Sequence, residues 1–436
     1  MDIHPLFVRP SHTSETDVVS MDLQDLIESA LQHNPSLQMI KQQQVQRQGQ
    51  LTQARSGNLP QLRVESEYKY LQRDDRDANL DQDSEEIQKE EGNVLTGSAT
   101  ISQLLYDFGK TTGSINVGKA NLQAIEDKLF REGQDIVFQT KEAYYDVLEK
   151  KRLINVAAQA VDNYKRHLKR AKVYFAVGSR TQIDVIDAEI ELSNANLKLI
   201  RAKYNLEVAK VNLVQVLGTQ PNRGQYVIEE IPGLNLENLL ETMPSLPQSL
   251  DALVKLAHEK RRDVHQLQAL IKAAVADVAR VKGNYWPTLN ARASVDDYDT
   301  SLSQYDDSWE VGVDLSWELF SGLRTNGDVV EARGKLREKE ALLMKLELTL
   351  ATEVTENFIR ADENRVSVSI ALQTLELAKK NLFLAEKRYE AGRNDMIEFN
   401  NAQFNLTKSQ SELVSTYFGY LSSLARLEFT VGTTLN

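Results

Sequence analysis

Proline is missing from two long reaches of the chain. The nine prolines stand at positions 5, 10, 35, 60, 221, 232, 244, 247 and 287, so none falls between Gln61 and Gln220 and none follows Pro287. A proline inside a helix costs about 3 kcal/mol. Both reaches are rich in Ala, Leu, Glu, Lys and Gln, so each can hold a very long helix. The pattern predicts one helix from about Thr112 to Val177 and another from about Arg324 to Glu390. Each has roughly 65 residues and would be about 100 Å long at a rise of about 1.5 Å per residue. Helices of that length must pack against other long helices to cover their apolar stripes.

Both helices end at the same kind of signal. The first breaks in "YFAVGSRTQIDVIDAEIEL" (Tyr174–Leu192) and the second in "YEAGRNDMIEFNNAQFNL" (Tyr389–Leu406). Gly178 and Gly392 suit the left-handed position just past a helix end, and the polar residues after each can cap a returning helix. The two hairpins are copies at a constant offset: Ile183 matches Ile397, Asp184 matches Glu398, Ala188 matches Ala402 and Leu192 matches Leu406. The register holds as far as Leu217–Thr219 and Val431–Thr433. Upstream, "LYDFGKTTG" (Leu105–Gly113) pairs with "WELFSGLRTNG" (Trp317–Gly327), and "NLPQL" (Asn58–Leu62) with "YWPTL" (Tyr285–Leu289). An internal duplication therefore runs through nearly the whole chain. The expected order is an N-terminal extension (1–20), a first repeat (21–219, with strands 60–72 and 94–107), a connecting segment (220–250) and a second repeat (251–436, with strands 287–299 and 308–320). The connecting segment is expected to hold a short strand and a short helix.

The strands show period-two alternation. Leu62, Val64, Tyr68 and Tyr70 alternate with Arg63, Glu65, Glu67 and Lys69, and Trp309, Val311, Val313, Leu315, Trp317 and Leu319 alternate with Glu310, Gly312, Asp314, Ser316 and Glu318. Gln72–Asn93 and a shorter stretch around Thr300–Asp307 are expected to be exposed loops. A soluble sheet with one wet face would also alternate. Here the apolar face persists for about 10–11 residues, the length of a tilted membrane-spanning strand. Trp286, Trp309 and Trp317 all lie in or beside the second strand pair, where interfacial anchors would sit. Four strands cannot close a barrel, and lipid does not tolerate an open sheet edge, so a membrane role demands several copies; three would give twelve strands.

Composition narrows the function. The formal net charge of −12 argues against nucleic acid as a partner. With no cysteine, the chain has no disulfide, thiolate metal site or Cys lipid anchor. The N-terminal stretch "MDIHPLFVRPSHTSETDVVS" lacks a signal peptide's pattern, which fits either a cytosolic protein or a mature chain whose leader has been removed. Nothing suggests catalysis or a cofactor. The histidines at 4, 12, 33, 167, 258 and 265 form no paired-ligand motif, so no metal is expected. "DANLDQDSEE" (Asp77–Glu86) lacks the glycine and terminal glutamate of a calcium loop.

The duplicated Y-x-x-x-G-x-x-x-x-x-D-x-x-D-A hairpin, the "ALQHNPSL" stretch (Ala30–Leu37) and the two strand-to-helix junctions resemble the TolC family of outer-membrane channel proteins, over roughly residues 21–435. The resemblance implies a mainly α protein with a β-barrel portion: a homotrimer with four strands per protomer in a 12-stranded transmembrane barrel, equatorial segments, and a long periplasmic α-helical barrel. It implies a gated exit duct in the outer membrane, in contact with its lipid and serving multidrug efflux or type I protein secretion. The duct would be fed by an inner-membrane pump (ABC or proton-driven) through a periplasmic adaptor. It also implies a periplasmic gate. Tyr389 before the second turn and Glu398 and Asn401 after it match the family's gate positions, with Asp184, beside Asp187, as partner from the first hairpin. Asn401 replaces the family's second Asp, and the family's linking Arg falls nearest Asn394, with Arg393 before it and Asp395 after it. The absence of cysteine places the chain nearer the non-lipidated branch. The alternative is a soluble coiled-coil scaffold or adaptor with an inserted sheet.

Overall fold

A computed structural model of the chain describes residues 19–75, 88–219, 226–229, 243–246, 249–300, 303–391 and 396–435. The order is β1 (Val19–Met21), α1 (Leu23–His33), α2 (Pro35–Ser56), β2 (Gln61–Asp75), β3 (Gln88–Tyr106), α3 (Lys110–Ala176), α4 (Gln182–Val216), β4 (Tyr226–Ile228), α5 (Leu250–Lys260), α6 (Arg262–Lys282), β5 (Thr288–Thr300), β6 (Ser303–Ser316), α7 (Arg324–Glu390) and α8 (Met396–Val431). The two long helices, α3 and α7, each have 67 residues. Contacts divide the chain into two units: a sheet unit of Ile40–Lys128 with Asp263–Leu346, and a helical unit of Met1–Met39, Leu129–Arg262 and Glu347–Asn436.

In the sheet unit the strands are antiparallel in the order β2-β3-β5-β6. The register sorts side chains into rows. Leu62, Ile101, Ala293 and Val311 form one row, and Val64, Ala99, Val295 and Trp309 form the next on the same face. Between them, on the opposite face, run Arg63, Thr100, Ser294 and Glu310. A one-residue slip would exchange the faces, so the register itself fixes an apolar and a polar side. On the edge strands the apolar side has no cover: Leu62, Val64, Trp309, Val311, Val313 and Leu315 are each at least 62% exposed.

The strands differ from expectation at their ends. The supposed loop Gln72–Asn93 contributes to the ladder from both sides, with Gln72 opposite Glu91 and Asp75 opposite Gln88. Likewise Thr300 is paired with Ser303, so β6 begins before the expected position. Both strands are mostly polar there, and alternation disappears as a signal although the backbone still pairs. Residues 76–87, which hold the whole calcium-like stretch, lie outside the described residues. At its other end β6 stops at Ser316, so Trp317 and Leu319 fall beyond it. There the chain turns into α7, with Leu323 at φ 69° and the Thr325 amide donating to Ser321 Oγ at 3.4 Å.

The helical unit has an apolar core built on residues such as Leu26, Ile136, Tyr144, Leu213, Leu413 and Tyr417. β1 pairs in parallel with β4, so the expected N-terminal extension ends in a strand that joins the connecting segment. The helix expected in that segment lies outside the described residues. Two tight junctions repeat. Gly218, after α4, has φ 73°, and a Cβ there would lie 2.7 Å from His33 O and 2.8 Å from Asn34 Cα. Asn34 in turn donates from Nδ2 to Val216 O at 2.9 Å. Gly432, after α8, has φ 85° and faces Arg261, whose buried side chain pairs with Glu353 at 2.6 Å.

α4 carries two seams with seven-residue spacing. Ala188, Ala195, Ala209 and Leu213 are buried within the unit, with Leu192, Leu199 and Leu206 partly buried beside them. Ile183, Ile190, Leu197, Tyr204 and Val211 repeat every seventh residue and are exposed. The second series is offset by two residues from the alanine series (Ala188 and Ile190, Ala195 and Leu197), about 200° round the helix, so α4 is apolar on two opposite faces. α7 is built likewise: Val354, Ala361, Val368 and Leu375 are buried, and Ile370, Leu377 and Leu384 are exposed.

Candidate functional site: the hairpin turns

The first turn closes as its glycine predicts. Gly178 has φ 75°, and the Ser179 amide donates to Tyr174 O at 3.0 Å, satisfying a carbonyl at the end of α3. Thr181 then caps α4. Asp184 Oδ2 accepts from the Thr181 amide at 2.9 Å and from its hydroxyl at 2.8 Å, while the Asp184 amide donates to Thr181 Oγ1 at 3.4 Å. This capping box is worth about 1 kcal/mol. Within one chain it accounts for Asp184 as a helix-start residue. Asp187 is partly exposed one turn further on.

The second turn, with Gly392, Arg393, Asn394 and Asp395, lies outside the described residues. Its flanks are placed. Glu398 accepts from Arg388 Nη1 at 3.0 Å, an ion pair between α7 and α8. Both side chains are substantially exposed, so the pair contributes at most about 1 kcal/mol. Asn401 is exposed, one turn beyond Glu398.

Tyr389 is 2% exposed, in a cluster with Ala171, Ala188 and Met396. The Arg180 guanidinium stands 4.6 Å over its ring. Burial raises the Tyr389 pKa, with Arg180 opposing and Asp184 adding to the rise. Its hydroxyl is buried with no hydrogen-bond partner among the described residues. The structure therefore brings Tyr389 and Asp184 into one electrostatic neighbourhood without a direct link between them. Beside them Arg170 bridges Glu386 at 2.5 Å and Glu390 at 3.6 Å.

Sequence reading missed Arg170, Arg180, Arg388 and, above all, His167. The His167 ring stacks on Phe399 at 4.1 Å and lies 5.3 Å from Tyr389. The available signal was helical spacing, since His167, Ala171 and Tyr174 share one face of α3. A search confined to metal motifs discards that pattern.

At one end of the sheet, Trp286 stacks on Phe108 at 5.4 Å, Phe108 meets Tyr106 edge-on at 4.7 Å, and the Trp317 indole donates to Tyr285 O at 3.1 Å. Trp309 is 77% exposed, eight residues before Trp317, and pairs with Val295. At about 3.3 Å per residue that separation is about 26 Å, close to the roughly 25 Å apolar band of an outer-membrane barrel.

A profile of the outer membrane efflux protein family matches residues 26–219 and again 253–433. The chain belongs to the outer membrane efflux protein family. It is 24% identical over 429 residues to the outer membrane protein TolC of Escherichia coli, covering 94% of this chain and 82% of that one. It is 20% identical over 427 residues to the proteases secretion protein PrtF of Dickeya chrysanthemi, covering 95% and 88%. The fold matches that of the outer membrane protein VceC of Vibrio cholerae with a TM-score of 0.78 at 18% identity, over 95% of this chain and 97% of that one. Membership places the protein in the outer membrane and sets aside the soluble scaffold. No helix among the described residues is long and apolar enough to cross a membrane. The sheet, with its uncovered apolar side, is the segment suited to lipid.

Proposed function

We propose that three copies of this chain form a passive gated exit duct of a tripartite export system. The supporting observation is what one chain leaves uncovered: two sheet edges, β2 and β6, and the outer seams of α4 and α7. A single copy cannot satisfy strand edges in lipid. Three copies of four strands form a twelve-stranded barrel, with Trp309, Val311, Val313 and Leu315 facing lipid and Glu310 and Asp314 facing a water-filled lumen. The outer seam of α4 packs against that of α7 in the next copy, because helices apolar on two opposite faces close into a cylinder. The duct is built from two repeats, 21–219 and 251–436 about the segment 220–250, a division supported by the two separate family matches. A periplasmic adaptor and an inner-membrane pump feed the duct, and the hairpin turns gate it. No enzymatic activity, cofactor or metal enters this reading.

In the gate, three copies of Glu398 gather about the axis, where like charges attract cations. Asp184 and Tyr389 help hold the turns closed. Asp184→Ala with Tyr389→Phe is expected to raise single-channel conductance in planar bilayers severalfold. Glu398→Ala is expected to lower cation selectivity and divalent block with less change in conductance. A double variant that conducts like the parent would show these two to be ordinary helix-end residues. Purification as a monomer soluble without detergent would overturn the duct itself.

A further inference from the structure

His167 is 2% exposed, deep in the hairpin region of α3. Its Nε2 lies 2.7 Å from the sulfur of Met396, the first residue of α8, and its ring stacks on Phe399 one turn later. Its Nδ1 is buried and has no hydrogen-bond partner among the described residues. One side chain thus joins α3 to the first turn of α8, directly after the turn that carries the candidate gate residues.

The surroundings suit a neutral ring and oppose a charged one. From α3, Arg170 faces it, already engaged by Glu386 and Glu390 of α7. From the first turn, Arg180 lies over the neighbouring Tyr389 ring. From α4, Asp184 is committed to its capping box with Thr181. Tyr389 lies beside the ring, with Tyr174 behind it against Tyr389, and Met396 and Phe399 supply thioether and ring. A second proton would add a buried charge, with no acceptor among the described residues for its N–H.

We propose that neutral His167 is a positioning residue that docks the first turn of α8 on α3, and that taking up a second proton releases this turn and favours the open duct. The proposal rests on the hairpin gate described above. Burial first, then Arg170, lowers the His167 pKa to about 4, from an ordinary 6.5. A group whose pKa is depressed in the closed form holds that form fully above the free value. That contribution is lost as pH falls, here between 6.5 and about 4. A difference of this size shifts the closed-to-open ratio by about a hundredfold across the window.

The test is open probability in planar bilayers from pH 7.5 to pH 4, for the parent, His167→Phe and His167→Gln. Phenylalanine keeps the stack and cannot titrate; glutamine is polar and cannot titrate. The parent is expected to gain about tenfold or more in open probability as pH falls from 6.5 to 4, while the Phe variant stays flat and within about twofold of the parent at pH 7.5. The Gln variant is also expected to be flat, at a raised baseline, since it loses the stack. A parent with no rise overturns the proposal. So does a Phe variant that rises as the parent does, because carboxylates such as Glu398 would then carry the response. The Asp184→Ala, Tyr389→Phe pair at pH 7.5 separates the two levels. If that pair opens the channel while His167→Phe keeps the parent's acid response, only the His167 assignment falls. If that pair has no effect, the gate reading falls first.

Discussion

Val313→Arg is expected to abolish assembly in the outer membrane, whereas Asp314→Asn leaves it intact. The two residues are neighbours on β6, and Val313 lies opposite Ala291 on the apolar side while Asp314 lies opposite Asn290 on the polar side. An arginine on the lipid side near the membrane midplane costs about 2–4 kcal/mol, so three copies cost about 6–12 kcal/mol per assembly. That is comparable to the whole stability of a typical domain. Asp314→Asn removes a charge from the polar side, which the proposed duct leaves in water. The measurement is the amount of heat-modifiable trimer in outer-membrane fractions. Equal loss from the two substitutions would reject the assignment of faces.

Gly218→Ala should be the more damaging of two matched glycine substitutions. Both Gly218 and Gly432 have positive φ, which costs an alanine about 1–2 kcal/mol. At Gly218 the new methyl would also meet backbone, at 2.7 Å from His33 O and 2.9 Å from His33 C, so α1 or α4 must move. At Gly432 the nearest atoms are 3.3 Å away and can give slightly. We expect about 2–4 kcal/mol lost for Gly218→Ala and about 1–2 kcal/mol for Gly432→Ala. Thermal midpoints of the helical circular dichroism signal in detergent, at one scan rate, give the ranking. A reversed order would mean that the junction at His33–Asn34 is loose in solution.

Legibility in the sequence followed the strength of each local rule. Helix α7 was expected from Arg324 to Glu390 and is found there, because missing prolines and a terminal glycine constrain both ends. The strands were legible only where one face is apolar and the other polar. After Leu71 on β2 and before Trp309 on β6 the residues are mostly polar with no alternation, and pairing continues without a pattern to announce it. Asp184 was legible as a charge near a turn, but its capping box competes with the gate role, and spacing alone does not rank the two. His167 was legible only as a residue on one helix face with Ala171 and Tyr174; its role was not, because its partners come from α7 and α8, over two hundred residues away in the chain. Arg388–Glu398 is shorter in range, but it closes across a turn whose geometry the residues do not dictate.

The number of strands in the sheet has one further consequence. Because β2, β3, β5 and β6 alternate in direction and number four, the outermost pair run opposite ways. When copies join edge to edge around an axis, every new seam is then antiparallel, like those inside each chain, and no seam is distinguishable by polarity. An odd count would force one parallel seam at each junction, with slanted and weaker hydrogen bonds. Parity therefore constrains how such a chain can change: strands are free to be gained or lost in hairpin pairs, and loss of one strand alone would spoil all the junctions of the ring together.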